Sequence, residues 1–174
     1  MEIRTARPED LDAVTALEAE CFPAAEAASR ESIRSRLTAY PEHFWLLLDG
    51  GTLVSFVNGM VTEEPDLRDE MYDNAALHDE SGSWQMIFGV DTAPTYRRQG
   101  CAGQLLNHVV AEAKCQGRKG LVLTCKDTLV HYYAKFGFVS EGVSQSTHGN
   151  VLWYQMRLTF QPGAPAGNAC PAGL

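Results

Sequence analysis

The chain has 174 residues, a formal net charge of −8 and 45% hydrophobic residues, enough for one globular domain with a substantial core. The acid excess argues against nucleic acid as a partner, since nothing here would neutralise a row of phosphates, and it suits a cationic ligand. No apolar run approaches the roughly 20 residues that cross a bilayer, and the opening MEIRTARPEDLDAV lacks the apolar stretch of a signal peptide, so a cytoplasmic protein away from membranes is expected. Cys21, Cys101, Cys115, Cys125 and Cys170 are scattered without a CxxC pair or a His/Cys metal spacing; free thiols and no metal are expected.

Ile3 to Thr5 reads as a short extended start. Pro8 suits the first turn of a helix, and Glu9 and Asp10 favour its positive end. Leu11, Val14, Leu17 or Glu18, and Cys21 follow at helical spacing, which predicts a helix over 8–21 that Phe22-Pro23 ends. Ser29 caps a second helix running to Ala39, with Ile33 and Leu37 on one face. The apolar runs Phe44–Leu48 and Leu53–Val57 flank Asp49-Gly50-Gly51, a hairpin signal.

Thr62 to Ser83 carries eight acids and no period, and reads as a long loop of the kind that is usually functional. Trp84 to Val90 has strand composition and is broken at Asp91-Thr92-Ala93-Pro94. A helix follows Gly103, with Leu105, Leu106, Val109, Val110 and Ala113 as its apolar stripe. Leu121–Cys125 reads as a buried strand, Thr128–Phe136 as a short helix closed by Gly137, and Val139 onwards and Val151–Leu158 as two strands around a turn at Ser144–Asn150. The order is that of a single α/β (α+β) domain on a mixed sheet over 1–160. Residues 161–174, QPGAPAGNACPAGL, read as a flexible Pro/Gly/Ala-rich tail.

The chemistry is concentrated in Arg97-Arg98-Gln99-Gly100-Cys101-Ala102-Gly103, between a strand and a helix. Unpaired amides at a helix start form an anion site. Gly100, Gly103 and the small Ala102 let a pyrophosphate approach the backbone, and Arg97 and Arg98 add positive charge. The segment matches neither GxxxxGK[ST] nor GxGxxG. A turn that merely starts a helix is the plain alternative.

With its surroundings, the segment resembles the GNAT family of N-acetyltransferases, whose Q/R-x-x-G-x-G/A signature is here Arg97-x-x-Gly100-x-Ala102. The opening Ile3 to Leu11 and the Tyr-x-Lys-x-Gly-Phe element at Tyr133–Phe138 extend the resemblance over nearly the whole chain. Leu123 to Val130, followed by Tyr132-Tyr133, is similar to the arylalkylamine (serotonin-type) branch and its microbial relatives. The resemblance implies a mostly antiparallel seven-stranded sheet flanked by about four helices, with the fourth and fifth strands splayed to admit acetyl-CoA. Val90, Asp91 and Thr92 would pair with the pantetheine arm, and Arg97, Arg98, Gln99, Gly100, Cys101, Ala102 and Gly103 would hold the pyrophosphate. Arg118 and Lys119 read as a solvated turn, with a place near the nucleotide as the alternative.

Acetyl transfer needs a neutral amine, although a free alkylamine has a pKa of about 10, like lysine. It also needs a donor for the oxyanion, for which the resemblance offers the amide near Val90, and an acid for the leaving thiolate, for which it offers Tyr133. The His-x-His pair of the vertebrate enzymes falls on Met86 and Phe88, which accept no proton, so serotonin is not carried over. His78, Asp79, Glu80, Asp91 and His148 remain as bases, beside a water chain, with Gln85 as a polar anchor; Gln85, His78 and His148 are the candidate acceptor contacts. Trp45, Trp84, Trp153 and Tyr72 are candidates for an apolar acceptor pocket. The expected acceptor is a small primary amine, arylalkylamine before polyamine. A module that binds acetyl-CoA without turnover and acetylation of a peptide amine are the alternatives. A homodimer is compatible with the family.

Overall fold

The structure, a computed structural model, describes residues 1–163; residues 164–174 of the expected tail, with Cys170, lie outside the described residues. Among the described residues, nine strands form two sheets joined at a split. The first sheet has the order β1-β2-β3-β6, from Glu2–Thr5, Phe44–Asp49, Thr52–Asn58 and Gly89–Thr92, all antiparallel. The second has the order β4-β5-β7-β9-β8, from Val61–Thr62, Trp84–Ile87, Gly120–Cys125, Tyr154–Thr159 and Val139–Val143. Its β5–β7 pair is parallel and the rest antiparallel.

The seven expected strands become nine because two of them break at the same level. The run from Trp84 continues to Thr92 but is interrupted at Phe88, and the run after Thr52 is interrupted at Gly59-Met60. Hydrogen bonds from Phe88 N to Asn58 O (2.7 Å) and from Met86 N to Met60 O (2.8 Å) carry the ladder across the joint. Only glycine fits at 59, since a Cβ there would lie 1.7 Å from Met86 O.

Helices α1 (Leu11–Cys21) and α2 (Arg30–Ala39) cover one face, and α4 (Cys101–Cys115) and α5 (Asp127–Ala134) cover the other; α3 (Glu70–Asp73) is a single turn in the long loop. The Pro8–Asp10 turn before α1 is 3-10, and Ser29 caps α2 by accepting from Ser32 N. The period of two along β2 divides the core. Phe44, Leu46 and Leu48 pack with Val14, Leu17, Ile33 and Leu37 on the α1–α2 side, whereas Trp45 and Leu47 pack with Leu105, Leu106 and Val109 of α4. Each fully buried aliphatic side chain contributes about 1.5–3 kcal/mol. Among the described residues, Cys21, Cys101 and Cys125 are free thiols.

Candidate active site

The split makes the site. β6 is the edge of the first sheet, and β7 loses its β5 partner after Leu123, so Thr124 and Cys125 face β6 across an opening. A cavity of about 520 Å³ fills it, with Phe88, Gly89, Val90, Thr124, Cys125 and Tyr133 along its sides. The segment between α1 and α2 and the turn that carries His148 and Trp153 close its other end.

At the start of α4, Gly100 takes φ +81 and Arg98 φ +61, a left-handed turn that aims the first helical amides outward. The first intrahelical bond is Gln104 N to Gly100 O, which leaves the amides of Cys101, Ala102 and Gly103 without intrahelical acceptors. Arg98, Gln99 and Gly100 are exposed, while the Cys101 side chain is buried in the core. Arg97 reaches back, its Nε donating to Thr92 O at 3.2 Å, and lines the cavity. An open strand edge beside an amide-rich helix start with a free guanidinium at Arg98 fits a long arm ending in phosphates, as coenzyme A has.

Tyr133 is buried and lines the cavity, and no protein group among the described residues hydrogen-bonds its hydroxyl. Burial pushes its phenol well above the ordinary value. Tyr132 packs edge-on against Tyr133 and Phe136. His148 lines the cavity too, with Nε2 2.8 Å from Glu26 O and its ring stacked on Tyr72 at 5.0 Å. Tyr72 bonds the Thr124 hydroxyl at 3.1 Å, and burial raises its phenol to about 12. Of the four aromatics expected around an acceptor, Tyr72 and Trp153 line the cavity. Trp45 sits in the core, donating to Glu112, and Trp84 lies under the Arg157 guanidinium.

Gln85 and His78 do not line the cavity; they belong to a second polar cluster. Gln85 Nε2 donates to the carbonyls of Gly59, Met60 and Met86, which fixes Oε1 as the acceptor for His43 Nδ1 at 2.8 Å. His43 Nε2 and His78 Nε2 both meet Glu80 Oε2, at 2.8 and 2.9 Å. His43, His78 and Glu80 have metal-like spacing, but His78 Nδ1 accepts from Val61 N–H at 3.0 Å, which places the imidazole proton on Nε2 and takes away that ligand. Arg118 is not a solvated turn residue: it clamps Glu80 Oε1 at 2.7 Å and the carbonyls of Glu80 and Gly82. Burial alone would raise the Glu80 carboxyl, but His43, His78 and Arg118 hold it below its ordinary value; burial lowers His78. Asp79 is exposed, and its carboxylate accepts from Ser81 N–H and O–H beside it.

Of a third group, sequence reasoning named Asp91 and missed the rest. Glu18 and Arg36 line the cavity and are buried, as are Asn58 and Asp91 beside them. Arg36 donates to Asn58 Oδ1 at 3.0 Å and Tyr72 O at 2.9 Å, and its Cζ lies 5.0 Å from the Phe88 ring centre. The signal was present: Arg36 falls on the buried stripe of α2 between Ile33 and Leu37, and Glu18 beside Leu17 on that of α1. A charge on an apolar stripe implies a partner or a ligand.

A split sheet with an open strand edge, a helix start with unpaired amides and a cavity that reaches a buried tyrosine suit an acyl-coenzyme A-dependent transferase. Comparison with known proteins narrows this. The model described as "Acetyltransferase (GNAT) family" matches residues 11–138, and the chain belongs to that family, as an N-acetyltransferase. It is 27% identical to the serotonin N-acetyltransferase of Mesocricetus auratus over 164 residues, covering 92% of this chain and 78% of that protein. The human serotonin N-acetyltransferase is 25% identical over the same shares. Among solved structures, the GphF GNAT-like decarboxylase in complex with isobutyryl-CoA has a TM-score of 0.78 at 26% identity, over 91% of this chain and 99% of that one. The fold, with its splayed strands, is as the resemblance implied. Among the described residues no helix is long and apolar enough to cross a membrane.

Proposed function

We propose that the protein transfers the acetyl group of acetyl-CoA to the primary amine of a small molecule, an arylalkylamine in first place, by direct attack in a ternary complex. The observation that carries this reading is the cavity of about 520 Å³ that joins the open edge of β6 to a chamber lined by Tyr72, Phe88 and Trp153 and flanked by acids. An aromatic ring finds stacking partners there, and an ammonium finds negative charge. The open edge at Val90, Asp91 and Thr92 takes the pantetheine amides, and Arg98 with the amides of Cys101 to Gly103 takes the pyrophosphate. Tyr133 protonates the leaving thiolate, its raised phenol being the form that keeps its proton until needed.

The test is thiol release from acetyl-CoA against arylalkylamines, polyamines and aminoacyl peptides. The expected result is turnover confined to one amine class and lost in Tyr133→Phe. Binding of acetyl-CoA with no turnover of any amine would favour a sensor.

One observation favours a second reading. The Arg36 guanidinium lines the cavity with its Nε unpartnered, a cation that suits an acyl group bearing its own carboxylate. Together with the decarboxylase among the structural relatives, this calls for one such acyl-CoA in the panel, read as carbon dioxide release.

A further inference from the structure

The amine reading leaves a proton unassigned. An alkylammonium has a pKa of about 10 and attacks nothing until it loses that proton. His78 and Glu80 satisfy each other outside the cavity, and His148 is bonded to a backbone carbonyl. What remains is Glu18, a buried acid that lines the cavity, and a second buried acid behind it, Asp91. Asp91 is 1% exposed, and no protein N–H or O–H reaches either of its carboxyl oxygens. Its neighbour is Glu18, 6% exposed, whose Oε1 accepts from Ala28 N–H at 2.9 Å. Burial first, and then the Glu18 carboxyl beside it, raise Asp91 well above an ordinary carboxyl.

Glu18 lines the cavity, and Asp91 lies on the strand whose Gly89, Val90 and Thr92 line it too. A Cβ on Gly89 would lie 2.9 Å from Asp91 Oδ1, 3.4 Å from Asn58 Nδ2 and 3.9 Å from Glu18 Oε2. Gly89, which itself lines the cavity beside Val90, therefore lets these groups converge at its wall. The charged groups around the pair are Arg36 from α2, which favours the ionised form, and the Cys21 thiol from α1, which opposes it.

We propose that the Glu18–Asp91 pair is the proton acceptor for the incoming amine, with Glu18 the carboxylate that faces it. The entering ammonium gives one proton to the pair. The freed nitrogen bonds the acetyl carbon, the carbon–sulfur bond breaks, and the thiolate takes the Tyr133 proton. A second proton from that nitrogen restores Tyr133 through solvent, and the pair returns its own proton to water, so one proton is released per amide formed.

This inference rests on acetyl transfer to amines, and two acceptors tell the two apart. One is an alkylamine, charged at pH 7; the other is a weakly basic amine, neutral there. Glu18→Gln is expected to lower kcat/KM for the alkylamine at pH 7 by about 100-fold, with the loss shrinking as the pH rises towards about 10. The neutral amine should lose only a few fold, with acetyl-CoA affinity by calorimetry unchanged. Asp91→Asn keeps the shape of its site and should show the same split if Glu18→Gln fails to fold. Equal losses on both amines, or variants that match the wild type, would overturn the acceptor role alone. A wild type that acetylates neither amine would overturn the amine reading and this inference with it.

Discussion

Two buried polar clusters lie on the same broken strand, and they differ in how their groups are satisfied. The cluster on β5 is closed. Gln85 uses its amide on three carbonyls and His43, and Glu80 is held by two histidines and Arg118. The cluster on β6 is open: among the described residues, both Asp91 oxygens and Arg36 Nε lack donors or acceptors, and Glu18 and Arg36 line a cavity. Buried polar groups that satisfy one another fix a fold, and those left short cost stability unless something else completes them. The contrast teaches where to look for chemistry: near the incomplete cluster, not near the one with more histidines.

The largest effect expected is on the open side. Tyr133→Phe should lower kcat by about 100-fold or more and leave acetyl-CoA binding intact, measured by thiol release and calorimetry. A variant with unchanged turnover would remove the acid from this side of the comparison. Next comes the closed side. Gln85→Leu strands His43 and three carbonyls, and should cost about 2–3 kcal/mol of stability in urea unfolding, while KM for the amine stays put. A large KM change without a stability loss would erase the distinction between the clusters.

Trp153→Ala sharpens the open side. The loss of one aromatic contact is worth about 0.5–1.5 kcal/mol, so KM should rise up to about tenfold for an aromatic amine and hardly at all for an aliphatic one. The smallest effect concerns Glu80. Its carboxyl is lowered in the fold, so its stabilisation is complete above the unfolded value of about 4.3 and fades as the pH falls through the lowered one. The side chain is 63% exposed, so solvent screening keeps the effect under about 1 kcal/mol. Glu80→Gln should flatten the acid limb of stability against pH.

Much of this was legible in the sequence because period and punctuation agreed. Ser29 caps α2 where expected, and the stripe of α4 is the buried one. The break at Phe88 was not legible. Trp84 to Val90 is apolar almost throughout, and only the Arg36 and Tyr72 side chains that pack on Phe88 mark the joint. At the site, Tyr133 and His148 could be named from local motifs and turned out to share a cavity. The Glu18–Asp91 pair could not, because 73 positions separate its members and only the ladder between β3 and β6 brings Asp91 back to α1. The placement of Gln85 and His78 outside the cavity follows from the 62–83 segment folding onto β5, through a two-residue strand too short to see in composition.

The joint at Phe88 has a consequence for how such a protein can change. Because side chains alternate along a strand, one residue deleted between Ile87 and Gly89 would invert everything beyond it. Asp91 would point across the sheet to α4, and Val90 would point to Glu18. The segment from Gln85 to Thr92 is thus a reading frame in space, tolerant of substitution at many positions and of insertion at none.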